Sequence, residues 1–125
     1  MINTDRIVTC SPRYYIAGRM RGVAEFNFPA FFAKEAELKA TGCVVFNPAQ
    51  RDVDKGFDPT GLFGTVEELE DLDFSLREAL AEDTAWICLE ATHVHMLPGW
   101  SKSSGATAER ALGLALGLTI EGAAA

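Results

Sequence analysis

Two unbroken apolar runs on either side of one helical segment constrain this chain more than any other feature. Tyr14-Tyr15-Ile16-Ala17 is β-rich and stops at Gly18, and Cys43-Val44-Val45-Phe46 stops at Asn47-Pro48. Between them, Phe28, Phe31, Phe32 and Leu38 recur at helical spacing, with Asn27 placed to cap the helix and Gly42 to end it. Strands apolar on both faces need cover on both sides, so strand–helix–strand reads as a parallel βαβ unit. The expected fold is α/β, a Rossmann-like three-layer sandwich with flavodoxin-like order and a short parallel sheet of four to five strands. With 125 residues the chain is one domain's worth, residues 1–125, with 1–12 and 121–125 expected to be flexible.

Residues 51–64 carry three glycines and a proline with little periodicity. They read as a long loop, a lid or binding segment. Asp52, Asp54 and Asp58 do not make a calcium loop, because the glycine is out of place and Phe63 stands where a closing glutamate belongs. Thr65 and Glu68 form a capping box for a helical region in which Leu69, Leu72, Leu76, Leu80, Asp83 and Ile87 follow at three- and four-residue steps. A third strand is expected over about 92–97, then a loop over 98–105. The last helix runs to about Gly117, and Leu118-Thr119-Ile120 is a final strand.

Composition excludes several classes. Hydrophobic residues make up 48% of the chain, too many for disorder. No apolar run approaches the roughly 20 residues of a membrane span, and the N-terminus lacks a signal peptide's apolar stretch. Cys10, Cys43 and Cys88 are odd in number and widely spaced, which argues for a reducing, cytoplasmic compartment and against a zinc site. A net charge of −7 disfavours nucleic acid polymers and anionic membranes. Arg6, Arg13, Arg19 and Arg21 nevertheless cluster near the N-terminus, where a single phosphate could be held.

Two carboxylates stand out. Asp83 shares a helical face with Leu76, Leu80 and Ile87, where an apolar side chain belongs. It is either a structural aspartate satisfied by backbone or a group projecting into a cleft. Glu109 lies in the first turns of the last helix, on the face of Leu112 and Leu116, where the helix dipole favours its ionised form. Ala106 stands where a capping-box partner would be, so Glu109 is not a capping glutamate; the alternative is a partly exposed surface residue. Open parallel sheets bind ligands beyond the carboxyl ends of their strands. There the first-strand loop with Gly18, Met20 and Arg21 should meet the loop with Ser103 and Gly105, an anion corner at a helix N-terminus. Two carboxylates with an anion cradle and no metal ligands suit glycosyl transfer better than phosphoryl transfer.

The segments Tyr15-Ile16-Ala17-Gly18-Arg19-Met20-Arg21-Gly22, Asp83-Thr84-Ala85-Trp86 and Ser103-Ser104-Gly105-Ala106-Thr107-Ala108-Glu109 resemble, in order and spacing, the nucleoside 2-deoxyribosyltransferase superfamily. The pattern is most similar to its 2'-deoxynucleoside 5'-phosphate N-hydrolases and a small related domain common in phage genomes. The resemblance implies that Glu109 is the nucleophile at the anomeric carbon. It implies that Asp83 orients substrate and helps protonate the leaving base, and that Tyr15 supports Glu109 or the sugar. It further implies that Arg21 and Ser103 hold a 5'-phosphate, and that Gly18 lets the backbone come close. The implied activity is N-glycosidase action on a nucleoside 5'-monophosphate; the alternatives are base exchange by a deoxyribosyltransferase and a non-catalytic nucleotide-binding protein. No cofactor is implied, and a homodimer or larger homo-oligomer is. The family's polar residue beyond the last strand, lent to a partner's site, has no counterpart here.

His93 and His95 alternate on the third strand, but no third metal ligand is evident. Trp86 and Phe74 read as core, and the phenylalanines of 26–32 as a helix's buried face. Trp100 falls in a loop expected at the cleft, where its ring either stacks on a base or packs within the loop.

Overall fold

The structure is a computed structural model and describes residues 11–71 and 75–125. Expectations for residues 1–10, Leu72 and Phe74 lie outside the described residues. In chain order the elements are β1 (Arg13–Ala17), a 3-10 turn (Ala24–Asn27), α1 (Phe28–Ala40), β2 (Val44–Phe46) and α2 (Pro48–Asp54). They continue with α3 (Val66–Asp71), α4 (Leu76–Leu89), β3 (His93–Met96), a second 3-10 turn (Trp100–Lys102), α5 (Ser104–Ala115) and β4 (Thr119–Gly122).

The four strands form one parallel sheet in the order β2-β1-β3-β4. Alternation along β1 divides the core into two layers. Tyr15 and Ala17 face the side where Ile87 of α4, Ala106 of α5, Val94 and Met96 pack. Ile16 faces the other, against Phe28 and Phe31 of α1, Ala49 of α2 and Leu97. Helices on both faces of a parallel sheet make the Rossmann-like α/β sandwich that the apolar runs predict. The strand order reverses at β1, between β2 and β3, so the cleft of such a sheet opens beyond Ala17 and Met96.

Four local expectations need correction. Asn27 does not cap α1. Glu25, Phe26 and Asn27 all have positive φ (53°, 53° and 62°), a left-handed turn that aims the Asn27 amide back to donate to the Arg19 carbonyl at 2.9 Å. Residues 51–54 are not loop but the end of α2. Asn47 caps that helix by accepting from the Ala49 amide at 2.8 Å, and Pro48 fills its first position. The final strand begins at Thr119 and includes Glu121 and Gly122. The tail expected to be loose is tied down: the Ala123 amide donates to Met96 O and its carbonyl accepts from Trp100 Nε1.

The Thr65–Glu68 capping box is formed in both directions, Glu68 N to Thr65 Oγ1 at 3.2 Å and Thr65 N to Glu68 Oε1 at 2.9 Å. It sets the end of a clamp. Gly22 N donates to Gly64 O and Glu25 N to Leu62 O, pinning the segment before α3 onto the loop after β1. Gly64 is obligatory there: its φ is +86°, and a Cβ would sit 2.4 Å from the Val23 carbonyl oxygen.

Candidate active site

Gly18 ends β1 and turns the chain into the Arg19–Gly22 loop. A Cβ on Gly18 would stand 2.8 Å from Leu97 Cδ1, so its glycine lets the ends of β1 and β3 close together. Across this junction lies a cleft of about 570 Å³. Tyr15, Asp83 and Glu109 line it together with Gly18, Met20, Arg21, Ser103 and Gly105. Trp100 does not. It is buried beside Ala106 in the core layer of α4 and α5, with its indole N–H on the Ala123 carbonyl and Arg110 over its ring. Of the two readings of Trp100, packing is the one observed.

Each acid is placed by its element. α4 starts at its own cap, Ser75, whose hydroxyl accepts from Glu78 N, and its buried face carries Ala79, Asp83 and Ile87. α5 starts at Ser103, which caps it by accepting from Ala106 N at 3.1 Å, and its buried face carries Ala106, Glu109 and Gly113. Asp83 and Glu109 are each only 6% exposed. Charges this buried are unfavourable without partners.

The partners are few. Tyr15, fully buried, donates its hydroxyl proton to Glu109 Oε2 at 2.6 Å. The same hydroxyl is within hydrogen-bonding influence of Asp83. Burial pushes Glu109 up to about 8, although the Tyr15 hydrogen bond and Arg51 pull it down. Burial also pushes Asp83 up to about 6, against the pull of Arg51. Burial and the adjacent carboxylates hold the Tyr15 phenol well above its ordinary range, so it stays a donor. Near neutrality the site thus holds one proton on Glu109 and a negative charge on Asp83, with a phenol between them.

Arg51 and Asp52 were not legible as site residues, because 51–64 read as loop. Arg51 Nη1 lies 3.0 Å from Asp83 Oδ1, and Arg51 Nε donates to Asp52 Oδ1 at 2.8 Å. The signal that would have found them is Asn47-Pro48, a cap and first-turn pair that starts a helix as readily as it ends a strand.

Arg19, Arg21 and Lys102 are the cations that line the cleft, and Lys102 immediately precedes Ser103 at the start of α5. Because Ser103 satisfies Ala106 N, the first-turn amides of Ser104 and Gly105 are those left for a ligand. The lining is also aromatic, with Phe26, Phe28, Phe31 and Phe57. The phenylalanines expected only as a helix's buried face therefore serve the core and the cleft at once. Among the described residues, no cluster of three His, Cys, Asp or Glu side chains is placed to hold a metal ion, and no helix is long and apolar enough to cross a membrane.

A cleft lined by cations, aromatic rings and two buried acids linked by a phenol can bind an amphipathic anion and supply it with a nucleophile and a proton. A family model described as "Domain of unknown function (DUF4406)" matches residues 12–121, which include every residue of this cleft. No curated protein and no solved structure matches the chain.

Proposed function

We propose that this chain, which belongs to the DUF4406 family, is an enzyme that hydrolyses the base–sugar bond of a nucleoside 5'-monophosphate through a covalent intermediate on Glu109. One observation carries the reading: the buried Glu109 carboxyl, gripped by the Tyr15 hydroxyl at 2.6 Å, shares a cleft with Asp83. The resemblance to the nucleoside 2-deoxyribosyltransferase superfamily supports it through the same three segments.

In this reading Arg21, Ser103 and the first amides of α5 hold the phosphate, the phenylalanines of the lining receive the base, and the sugar lies over the acids. The proton resting on Glu109 passes by way of the Tyr15 hydroxyl to Asp83. Glu109 then bonds to the anomeric carbon as the bond to the base nitrogen breaks, and Asp83 gives its proton to that nitrogen. An oxocarbenium-like transition state gains from the carboxylate's charge before the bond forms. In the second half, water bonds to the same carbon, Asp83 takes its proton, and Glu109 leaves as carboxylate.

The active form holds one proton between the two acids. Below about pH 6 both are protonated, and above about pH 8 neither is. The kcat/KM profile is therefore expected to be bell-shaped, with apparent limbs near those values that belong to the pair. A profile flat from pH 5 to pH 9 would contradict the shared proton.

The decisive assay is release of free base from a panel of ribo- and deoxyribonucleoside monophosphates, with Glu109→Gln as control. Base appearing only when a second free base is supplied would point to exchange instead. Tight binding with no release across the panel would point to a binding protein. Arg21→Ala is expected to lower kcat/KM on nucleotides by roughly 10- to 100-fold, the scale of one charge-assisted contact, and to leave the matching nucleosides almost unchanged. Equal losses on both would remove Arg21 from phosphate recognition.

A further inference from the structure

Arg51 stands behind the cleft wall, on α2, with its side chain only 11% exposed. Its guanidinium makes three contacts in the site's frame, one within α2 and two with α4. Nε donates to Asp52 Oδ1 at 2.8 Å, Nη1 donates to the Ala79 carbonyl of α4 at 3.2 Å, and the same Nη1 lies 3.0 Å from Asp83 Oδ1. Further out, Glu82 accepts from Arg51 and from Lys55, at 3.4 and 2.7 Å. The contact with Asp83 is coulombic: among the described residues Oδ1 accepts no hydrogen bond of good angle, although it is fully buried. A buried carboxylate oxygen with no hydrogen bond depends on the adjacent guanidinium charge to stay ionised.

We propose that Arg51, braced by Asp52, is a positioning residue that fixes the Asp83 carboxylate in the cleft and keeps it negatively charged, ready to accept a proton or a sugar hydroxyl. The groups that face Asp83 are Arg51 and Asp52 from α2, Tyr15 from β1, Glu109 from α5 and Glu82 beside it on α4. Of these, Arg51 is the cation. The others are acids or a phenol, so without Arg51 their charges and burial act together to protonate Asp83. Tyr15 also donates toward Asp83, but a phenol carries no charge and is shared with Glu109. Arg51 therefore decides how readily Asp83 takes the proton that Glu109 must give up.

The activity part of this inference rests on the reaction proposed above; the charge part does not. The test begins with carbon-13 NMR titration of the Asp83 carboxyl in the ligand-free protein. Arg51→Met is expected to raise its midpoint by about one to three pH units, the range for losing an adjacent opposite charge. Arg51→Lys restores charge without the fork and is expected to recover most of that shift. In turnover, the acidic limb of kcat/KM moves up with the Asp83 midpoint, and kcat falls more than KM rises. A midpoint that stays at the wild-type value in Arg51→Met overturns the proposal.

Should Arg51→Met unfold, Arg51→Met/Asp83→Asn removes the stranded charge. The double variant is expected to fold and to melt above the single variant at pH 7. An Asp83→Asn change that restores nothing overturns the pairing. If the wild-type protein releases no base from any nucleotide, the proposed reaction falls, while titration and melting still decide the role of Arg51.

Discussion

Replacing Glu109 by glutamine is expected to lower base release by at least roughly a thousandfold and, at pH 8, to raise the melting temperature by roughly 10 °C. The activity loss follows because an amide cannot form the glycosyl ester. The stability gain follows from the same burial that makes the acid useful. Glu109 holds its proton up to about pH 8 when folded, against an ordinary value of 4.5. Between those limits the native state binds more protons than the unfolded chain, so stability falls as pH rises. The stabilising effect of the proton is complete below pH 4.5 and lost by the time pH passes 8. Each unit corresponds to about 1.4 kcal/mol, so the wild type forgoes at most about 5 kcal/mol at pH 8. Asp83, raised to about 6 from 3.8, adds a fall of the same sign over a lower window. Glutamine stays neutral throughout and still accepts from the Tyr15 hydroxyl. Melting followed from pH 5 to pH 8 should therefore show the wild type losing ground and the variant holding much more of it. A variant that keeps wild-type turnover would remove Glu109 from the mechanism, and one no more stable at pH 8 would contradict its burial.

The fold was legible because two-sided burial leaves a simple trace. A strand covered on both faces has no polar alternation, and Tyr14 to Ala17, all buried, show none; Cys43 to Phe46 show none either, although β2 lies at the sheet edge with Val44 48% exposed. The carboxylates were legible for the complementary reason, that a charge on an apolar helical face needs a purpose. Arg51 and Asp52 gave no such contrast. α2 is a short helix, and it dissolves into a glycine-containing stretch, so a buried ion pair looks the same in sequence as scattered surface charge. Trp100 misled in the opposite direction. Its loop does reach the cleft through Lys102 and Ser103, but sequence position says nothing about which way a ring turns, and the Ala123 carbonyl takes its N–H inward. Asn27 failed as a cap because backbone handedness overrode side-chain chemistry: a residue at φ 62° presents its amide backwards along the chain.

Asp83→Asn separates proton delivery from simple binding. If Asp83 protonates the departing base, its loss is expected to cost about a hundred- to ten-thousandfold on ordinary nucleotides. The loss should nearly vanish on a substrate whose leaving group needs no proton, such as a nucleotide with a cationic N7-methylated purine. The bell should also become a single rise towards alkaline pH, because Glu109 must then lose its proton to solvent and no carboxylate remains at position 83 to take it. A group that only accepts a sugar hydroxyl behaves differently, because that contact is made whatever the leaving group, and both substrates would suffer alike. Structural damage is distinguishable too. Asparagine fills nearly the same volume and leaves Arg51 with Asp52 at 2.8 Å, so the fold should hold. Uniform loss on both substrates, in a variant that melts as the wild type does, would therefore assign Asp83 to holding the sugar and leave the base's proton to come from elsewhere.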